Sequence, residues 1–225
     1  MKNLHKQRGF TIVELMIATA VFSTILLVIL TAITQVGRMY YKGITTAHTQ
    51  EAARTIMDRI SQETQFSGSS SVPTKVLGSS RENGVLCIGK TRFFFVVNKI
   101  SRTNQHALWV DTDNGGSNTG CTSQVVDSVI TRMNSDQPTQ AANNGSEFLP
   151  EGMRLSMINI DGSGDVAQPL LWAIDIKIAY GENDLLEADD GSDLTPENAA
   201  TAVCKGSQIG TQFCAVSKLS TTVLK

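Results

Sequence analysis

The chain has 225 residues, an ordinary hydrophobic content of 41% and a formal net charge of −2. This length fits one sizeable domain with an extension better than two full domains. The near-neutral charge argues against a large nucleic-acid-binding surface, and no direct nucleic-acid site is evident in the sequence. The hydrophobic residues are unevenly distributed, however, and form a dense block near the N-terminus.

A short basic segment precedes that apolar block. Lys2, Lys6 and Arg8 come before Gly9, and residues 15–36 contain no formal charge. These 22 residues would be about 33 Å long as a helix, which matches a hydrocarbon core of about 30 Å. The basic flank predicts an N-terminus inside the cytoplasmic membrane and a C-terminal part outside. An ordinary secretory signal would need small residues for cleavage after its apolar core, and the sequence there is a poor match.

Glu14 is the one charged residue between Phe10 and Gly37. A lone carboxylate near the start of a membrane-length apolar helix is costly unless a partner neutralises it. The surrounding residues 8–18 read Arg-Gly-Phe-Thr-Ile-Val-Glu-Leu-Met-Ile-Ala. This stretch resembles the class III signal of type IV pilins and type II secretion pseudopilins, which joins a short basic leader, a Gly-Phe junction and one glutamate at fixed spacing.

The resemblance implies that residues 1–9 are a prepilin leader, cut after Gly9 by a membrane-embedded prepilin peptidase. The same enzyme would N-methylate Phe10, the new first residue. Glu14 then falls at the fifth mature position, where the family has its glutamate. In the assembled filament its carboxylate would neutralise the N-terminal amine of a neighbouring subunit, because burying either charge alone is expensive.

The helical pattern continues beyond the apolar span. Between Ile44 and Phe66, apolar residues recur at three- and four-residue spacing with charged residues on the other faces. No proline occurs in residues 10–66, so one long helix is predicted, with its transmembrane part at about 15–36. A juxtamembrane coiled-coil stalk is the alternative, although no sustained heptad pattern supports it. Within the pilin family, residues 51–64 resemble minor subunits of the J or W type.

Residues 67–225 are predicted to form a β-rich extracytoplasmic head, which begins after a Ser- and Gly-rich boundary. The β-rich series of this head consists of apolar or alternating segments at 93–97, 107–110, 125–133, 153–157, 174–180 and 216–223. Strict alternation in 153–157 and 174–180 indicates antiparallel strands with one buried and one solvated face. The predicted fold class is α+β, with a long N-terminal helix packed on an antiparallel sheet, which agrees with the general pilin architecture.

Four cysteines lie in the predicted head: Cys87, Cys121, Cys204 and Cys214. An even number in an exported domain suggests disulfides. Of the three possible pairings we favour Cys87–Cys121 with Cys204–Cys214, because each pair flanks a local excursion between strands. Reduced buried side chains remain the alternative. A zinc site is not expected, since there is no Cys-x-x-Cys and the histidines are scattered.

One acidic loop offers oxygen ligands of the kind that calcium prefers, and some pseudopilins bind calcium in a head loop. The weak candidates are Asp184, Glu187, Asp189, Asp190 and Asp193. Their spacing does not match an EF-hand, so a solvated loop is favoured and no cofactor is predicted. Known motifs for a nucleophile elbow, a phosphate-binding loop or a metal-binding histidine pair are absent from the sequence, and the chain is not expected to be an enzyme.

The sequence therefore predicts a minor pilin or pseudopilin, which assembles into or primes a type IV pilus or a type II secretion pseudopilus. Its expected partners are other pilin subunits, the prepilin peptidase, the inner-membrane assembly platform and the membrane itself. It is expected in the cytoplasmic membrane first and in a surface filament afterwards. The alternative is a single-pass anchored adhesin or sensor that never polymerises.

Overall fold

The computed structural model describes residues 9–68, 72–80, 82–103, 105–113, 120–133, 145–163, 171–206 and 210–224. Its first element is helix α1, which runs without interruption from Ile12 to Phe66. The chain divides into two compact units, one ending at Tyr41 and the other beginning at Lys42, so α1 contributes residues to both. The second half of the helix therefore belongs to the same compact unit as the head.

In the first unit, the described residues bury no side chain of α1. Its apolar side chains are exposed, for example Leu15, Phe22 and Leu27 at 60–63%. By length and composition this part of the helix is apolar enough to cross a membrane. The side chains that such a helix exposes must be covered by lipid or by other proteins.

Within the described residues, the second unit contains a five-stranded antiparallel sheet in the order β1-β2-β3-β4-β5. A second, three-stranded antiparallel sheet has the order β10-β7-β6, and β8 pairs with β9. The elements are β1 Thr74–Leu77, β2 Asn83–Ile88, β3 Thr91–Val96, β4 Leu108–Thr112, α2 Ser123–Met133, β5 Ser146–Glu147, β6 Met153–Ser163, β7 Leu171–Tyr180, β8 Leu186–Glu187, β9 Val203–Cys204 and β10 Ala215–Leu224.

The main core lies between the second half of α1 and both large sheets. One stripe of α1 is buried there, comprising Ala52, Ala53, Ile56, Met57 and Ile60. Their three- and four-residue spacing places them on one helical face. The same cluster includes side chains of β2, β3, β6 and β7, which fixes this half of the helix to the head.

A second core lies on the opposite face of the five-stranded sheet. In β3, Phe93 and Phe95 belong to the main core, whereas Phe94 belongs to the second one. This alternation follows from the two-residue period of a strand, and it shows that both faces of the sheet are covered. Helix α2 covers the second face with four side chains: Val126, Val129, Ile130 and Met133.

The α+β class is confirmed, with a long N-terminal helix on antiparallel sheets. The inclusion of residues 125–133 in the β-rich series was wrong, because this segment lies in helix α2. Its β-branched residues favour strands, but the buried side chains follow helical spacing. The expected alternation of 153–157 was also wrong. Residues 153–156 are all buried, and the β6–β7 register shifts between Leu155 and Met157. By contrast, β7 alternates from Trp172 to Ile178 as expected.

Candidate functional site

The Gly-Phe junction lies directly before helix α1. Gly9 is exposed, and a Cβ built on it would meet no heavy atom within 4 Å. Phe10 is 82% exposed, and the helix begins two residues later at Ile12. Residues 1–8 of the predicted leader, with Lys2, Lys6 and Arg8, lie outside the described residues. Nothing in the described part of the chain covers the predicted cleavage site.

Glu14 forms a reciprocal cap with Thr11 at the start of α1. The backbone N–H and the hydroxyl of Thr11 donate hydrogen bonds to Glu14 Oε2, at 3.0 and 2.9 Å. In return, the backbone N–H of Glu14 donates to Thr11 Oγ1 at 3.3 Å. This is a capping box, which satisfies backbone donors that have no partner inside the first helical turn. The acidic group is also favourable at the positive end of the helix dipole.

The capping box leaves one carboxylate oxygen of Glu14 available. Both Thr11 donors bind Oε2, and among the described residues Oε1 has no hydrogen-bond partner. A cationic group could therefore pair with Oε1 while the cap remains intact. The reasoning from sequence assigned Glu14 an intermolecular partner but missed this intramolecular one. The Thr-x-x-Glu spacing ahead of an apolar run was the available signal.

The head is cross-linked by two disulfides. Cys87 bonds to Cys121 and Cys204 bonds to Cys214, with Cα–Cα distances of 6.4 and 5.8 Å. No cysteine is free. These are the two pairs favoured from the sequence. The first joins β2 to the residues just before α2, and the second joins β9 to the residue before β10.

The acidic loop is spread over several short elements. Asp184 lies in a 3-10 turn and Glu187 lies in β8. The backbone of Asp193 forms an isolated antiparallel β-bridge with Glu187. Asp190 accepts a hydrogen bond from the backbone N–H of Ser192 at 2.9 Å. In the part of the chain that the structure describes, no three His, Cys, Asp or Glu side chains are grouped as metal ligands. The solvated loop favoured from the sequence stays a prediction, and calcium binding, with Asp189 among its candidates, stays the weaker alternative.

The head also contains a buried pair that the sequence did not reveal. His106 Nδ1 lies 3.2 Å from Glu147 Oε2. The carboxylate of Glu147 further accepts hydrogen bonds from the backbone N–H groups of Ala107, Leu108 and Leu149 at 3.0–3.1 Å. The pair ties β5 to the start of β4. Because the two residues are 41 positions apart, no sequence spacing could have brought them together.

Burial dominates the protonation of this pair. It raises the pKa of Glu147 to about 7, although the three amide hydrogen bonds and the charge of Lys99 act in the opposite direction. Burial also lowers the pKa of His106, and Lys99 contributes to that lowering. Among the described residues, the hydrogen-bond partner of His106 is Glu147. All four cysteines are in disulfides. The arrangement is suited to stabilising a strand edge.

Comparison with known proteins gives one match, at the N-terminus. Residues 4–30 match the family described as the prokaryotic N-terminal methylation motif. No curated protein and no solved structure shows significant similarity to the chain. The matched stretch contains Gly9, Phe10, the capping box and most of the uncharged span 15–36.

This match supports the placement of the chain with the type IV pilins and pseudopilins. The motif implies, in general, interaction with other pilin subunits and with the prepilin peptidase, and it points to a structural protein. Together with the long apolar helix, it is consistent with membrane anchoring and with surface pili.

Proposed function

We propose that this chain is a minor pilin or pseudopilin. It is a membrane-inserted precursor that loses residues 1–9 and then joins or primes a type IV pilus or a type II secretion pseudopilus. One observation carries this proposal: the Gly9–Phe10 junction, the Glu14 carboxylate and an uninterrupted apolar helix follow one another within the stretch that matches the methylation motif.

Cleavage after Gly9 creates the partner that Glu14 needs. It turns the amide nitrogen of Phe10 into an amine, which is then N-methylated and remains cationic. In a bundle of apolar helices an unpaired charge costs several kcal/mol, so the amine of one subunit and Glu14 of its neighbour stabilise each other. The support for this step is that Glu14 Oε1 has no partner among the described residues, so pairing does not break the helix cap.

The two environments of α1 support transfer from membrane to filament. The part of α1 before Lys42 has exposed apolar side chains on all sides, which lipid covers in the precursor and neighbouring helices cover in the filament. The part after Lys42 contributes Ile56 and Ile60 to the main core, so the head keeps its fold during the transfer. Assembly then exchanges one apolar environment for another, and the charge pair selects the register.

The finer assignment rests on the head and on the second half of α1. A head of about 160 residues and the resemblance of residues 51–64 to J- or W-type subunits favour a minor subunit. The basic N-terminal flank favours an N-terminus inside and a head outside. Two disulfides suit an oxidising compartment, which supports the same orientation. The inner-membrane assembly platform would be a further partner.

Leader processing tests the proposal. In cells that contain the prepilin peptidase, mass spectrometry of the purified chain should show a start at N-methyl-Phe10. Gly9→Val should leave the precursor uncut, because the added side chain crowds the scissile bond. The matched control is Gly37→Val, since a Cβ at Gly37 also meets no heavy atom within 4 Å, and it should be processed normally.

An intact Met1 start in those cells would overturn the proposal and would favour an anchored adhesin or sensor. Normal processing of the Gly9→Val variant would instead remove Gly9 as the cleavage site. These two outcomes are distinguishable from the same spectra.

A further inference from the structure

A pocket of about 350 Å³ lies between the second half of α1 and the disulfide-bonded loop that starts at Cys204. Lys42 and Thr46 line it from the helix, and Lys205 and Thr211 line it from the loop. The Cys204–Cys214 disulfide contributes to the wall and holds the two ends of the loop together. The pocket therefore combines two ammonium groups with two hydroxyl groups on a cross-linked frame.

The pocket is basic although the chain as a whole is slightly acidic. The described residues that line it include no carboxylate. Among those residues, neither Lys42 nor Lys205 forms an ion pair, since the ion pairs of the described chain involve other side chains. Two lysines that line one cavity, neither of them in an ion pair with a described residue, repel each other and attract an anion. The hydroxyl of Thr211 can donate a hydrogen bond to an anionic oxygen, whereas the hydroxyl of Thr46 already donates to the carbonyl of Lys42 at 2.8 Å.

Lys42 lies close along the chain to the end of the apolar span. Lys42 is the sixth residue after Val36, the end of the uncharged span, in one uninterrupted helix. Six helical residues rise about 9 Å, whereas the headgroup layer extends roughly 5–8 Å beyond the hydrocarbon core on each side. Tyr40 and Tyr41 precede Lys42, and aromatic residues favour this same interfacial layer. This distance along the helix puts Lys42 within reach of the lipid headgroups.

We infer that this pocket binds the phosphodiester headgroup of an anionic phospholipid. The two ammonium groups neutralise the phosphate charge, and the hydroxyl of Thr211 supplies a hydrogen bond to one of its oxygens. A lipid headgroup is favoured over free phosphate because the membrane presents it at high local concentration at this depth. The inference depends on membrane insertion of α1 and not on filament assembly. An occupied pocket would add to the cost of withdrawing a subunit from the membrane.

The test uses the full, unprocessed chain in detergent micelles with phosphatidylglycerol added, and native mass spectrometry counts the retained lipid. Each lysine near an anionic lipid is expected to contribute about fivefold to binding, so Lys42→Gln with Lys205→Gln should weaken retention about 25-fold. The control pair is Arg54→Gln with Lys90→Gln, which removes the same charge at two exposed positions outside the pocket. It should retain the lipid within about twofold of the native chain.

Three further arms identify the ligand. Phosphatidylcholine should be retained at least tenfold less than phosphatidylglycerol, and millimolar inorganic phosphate should not displace the bound lipid. Equal retention by the native chain and the Lys42/Lys205 variant would overturn the inference, as would displacement by free phosphate. If that variant binds lipid normally but no longer copurifies with other pilin-like subunits, the pocket serves an acidic protein partner instead.

The outcome is independent of the proposed function. Because the unprocessed chain is tested alone, absence of lipid binding would leave leader cleavage and assembly unaffected. Near-ultraviolet circular dichroism of each variant checks that the head is folded, since both tryptophans, Trp109 and Trp172, lie in the head.

Discussion

The two halves of helix α1 have the same backbone conformation and opposite surroundings. In the first half Ile25 is 52% exposed, whereas in the second half Ile56 is fully buried. The first half is apolar on every side, and the described residues bury none of its side chains. The second half has one apolar stripe, and the two sheets of the head cover it.

This difference separates what stabilises the fold from what drives assembly. Burial of the stripe around Ile56 contributes to the free energy of folding of the head. The exposed side chains of the first half gain nothing from folding, so any stabilisation they provide must come from lipid or from other subunits. Substitutions in the two halves should therefore affect different measurements.

The largest effect is expected for Glu14→Gln. An amide at this position can still complete the capping box, because glutamine serves that role as well as glutamate. The negative charge is lost, which leaves the amine of the neighbouring subunit unpaired inside the bundle. Breaking a buried ion pair in this way costs about 3–5 kcal/mol, so incorporation into the filament should fall by roughly 10²–10⁴-fold.

The measurement is the ratio of filament-bound to membrane-bound mature chain, from quantitative immunoblots of sheared and cell fractions. Membrane insertion should be unchanged, because the substitution removes a charge from the start of the span. Incorporation at the native level would show that Glu14 is not half of an intermolecular pair in this subunit.

A smaller effect on a different quantity is expected for Ile56→Ala. This side chain is fully buried in the main core, and its truncation should lower the free energy of unfolding of the head by about 2–5 kcal/mol. The matched control is Ile25→Ala in the exposed half, which should alter the free energy of unfolding of the head by less than about 0.5 kcal/mol. Urea unfolding of the full chain in detergent, followed by tryptophan fluorescence, measures both. A loss of similar size in the control would mean that the two halves are not independent.

The sequence predicted the structure well where a local pattern allowed a single physical interpretation. The apolar span, the absence of proline through Phe66 and the alternation of β7 led directly to elements that the structure contains. The favoured cysteine pairing also matches the structure. In these cases a local pattern or a short list of alternatives was enough.

Other features depended on contacts between distant residues. The β-branched residues of α2 are typical of a strand in composition. Only their burial against the five-stranded sheet shows that the helical spacing of the apolar residues determines the secondary structure. Similarly, Arg154 interrupts the alternation of β6 because its guanidinium is buried. It donates to Asn98, Asn183 and the carbonyl of Gly181 at 2.6–2.9 Å. Such acceptors are brought together by the fold, so no pattern along one strand could reveal them.

The stability of the head should also depend on pH, because Glu147 titrates inside it. Burial raises its pKa to about 7, above the value near 4.5 of an unfolded chain. The stabilisation from its neutral form is therefore fully present below about pH 4.5 and is lost as the pH rises through 7. The loss over that range is at most about 3 kcal/mol. His106 has the opposite effect. Because burial lowers the pKa of His106, its contribution to the free energy of unfolding is lost as the pH falls below about 6.5.

Unfolding experiments from pH 4.5 to 7.5 measure this dependence. Glu147→Gln should flatten the decline in the free energy of unfolding between pH 5 and 7, and the exposed control Glu151→Gln should not. An unchanged slope in the Glu147→Gln variant would assign the pH dependence to another group.

The smallest effect, and the one that separates the two roles of Glu14, is expected for Thr11→Val. The substitution keeps the β-branched shape but removes the hydroxyl of the capping box, at a cost of about 1 kcal/mol to the first helical turn. Incorporation into the filament should fall by no more than about fivefold. The control is Thr24→Val, whose hydroxyl only bonds the carbonyl of Val21 in the middle of the span.

The two variants at the helix start therefore remove one role each. Glu14→Gln retains the cap without the charge, and Thr11→Val retains the charge with a weakened cap. If assembly requires the ion pair, the first variant must be at least tenfold more defective than the second when both are normalised to the processed chain. Equal defects would mean that assembly depends on an ordered first turn of α1, and that the carboxylate matters because it caps its own helix.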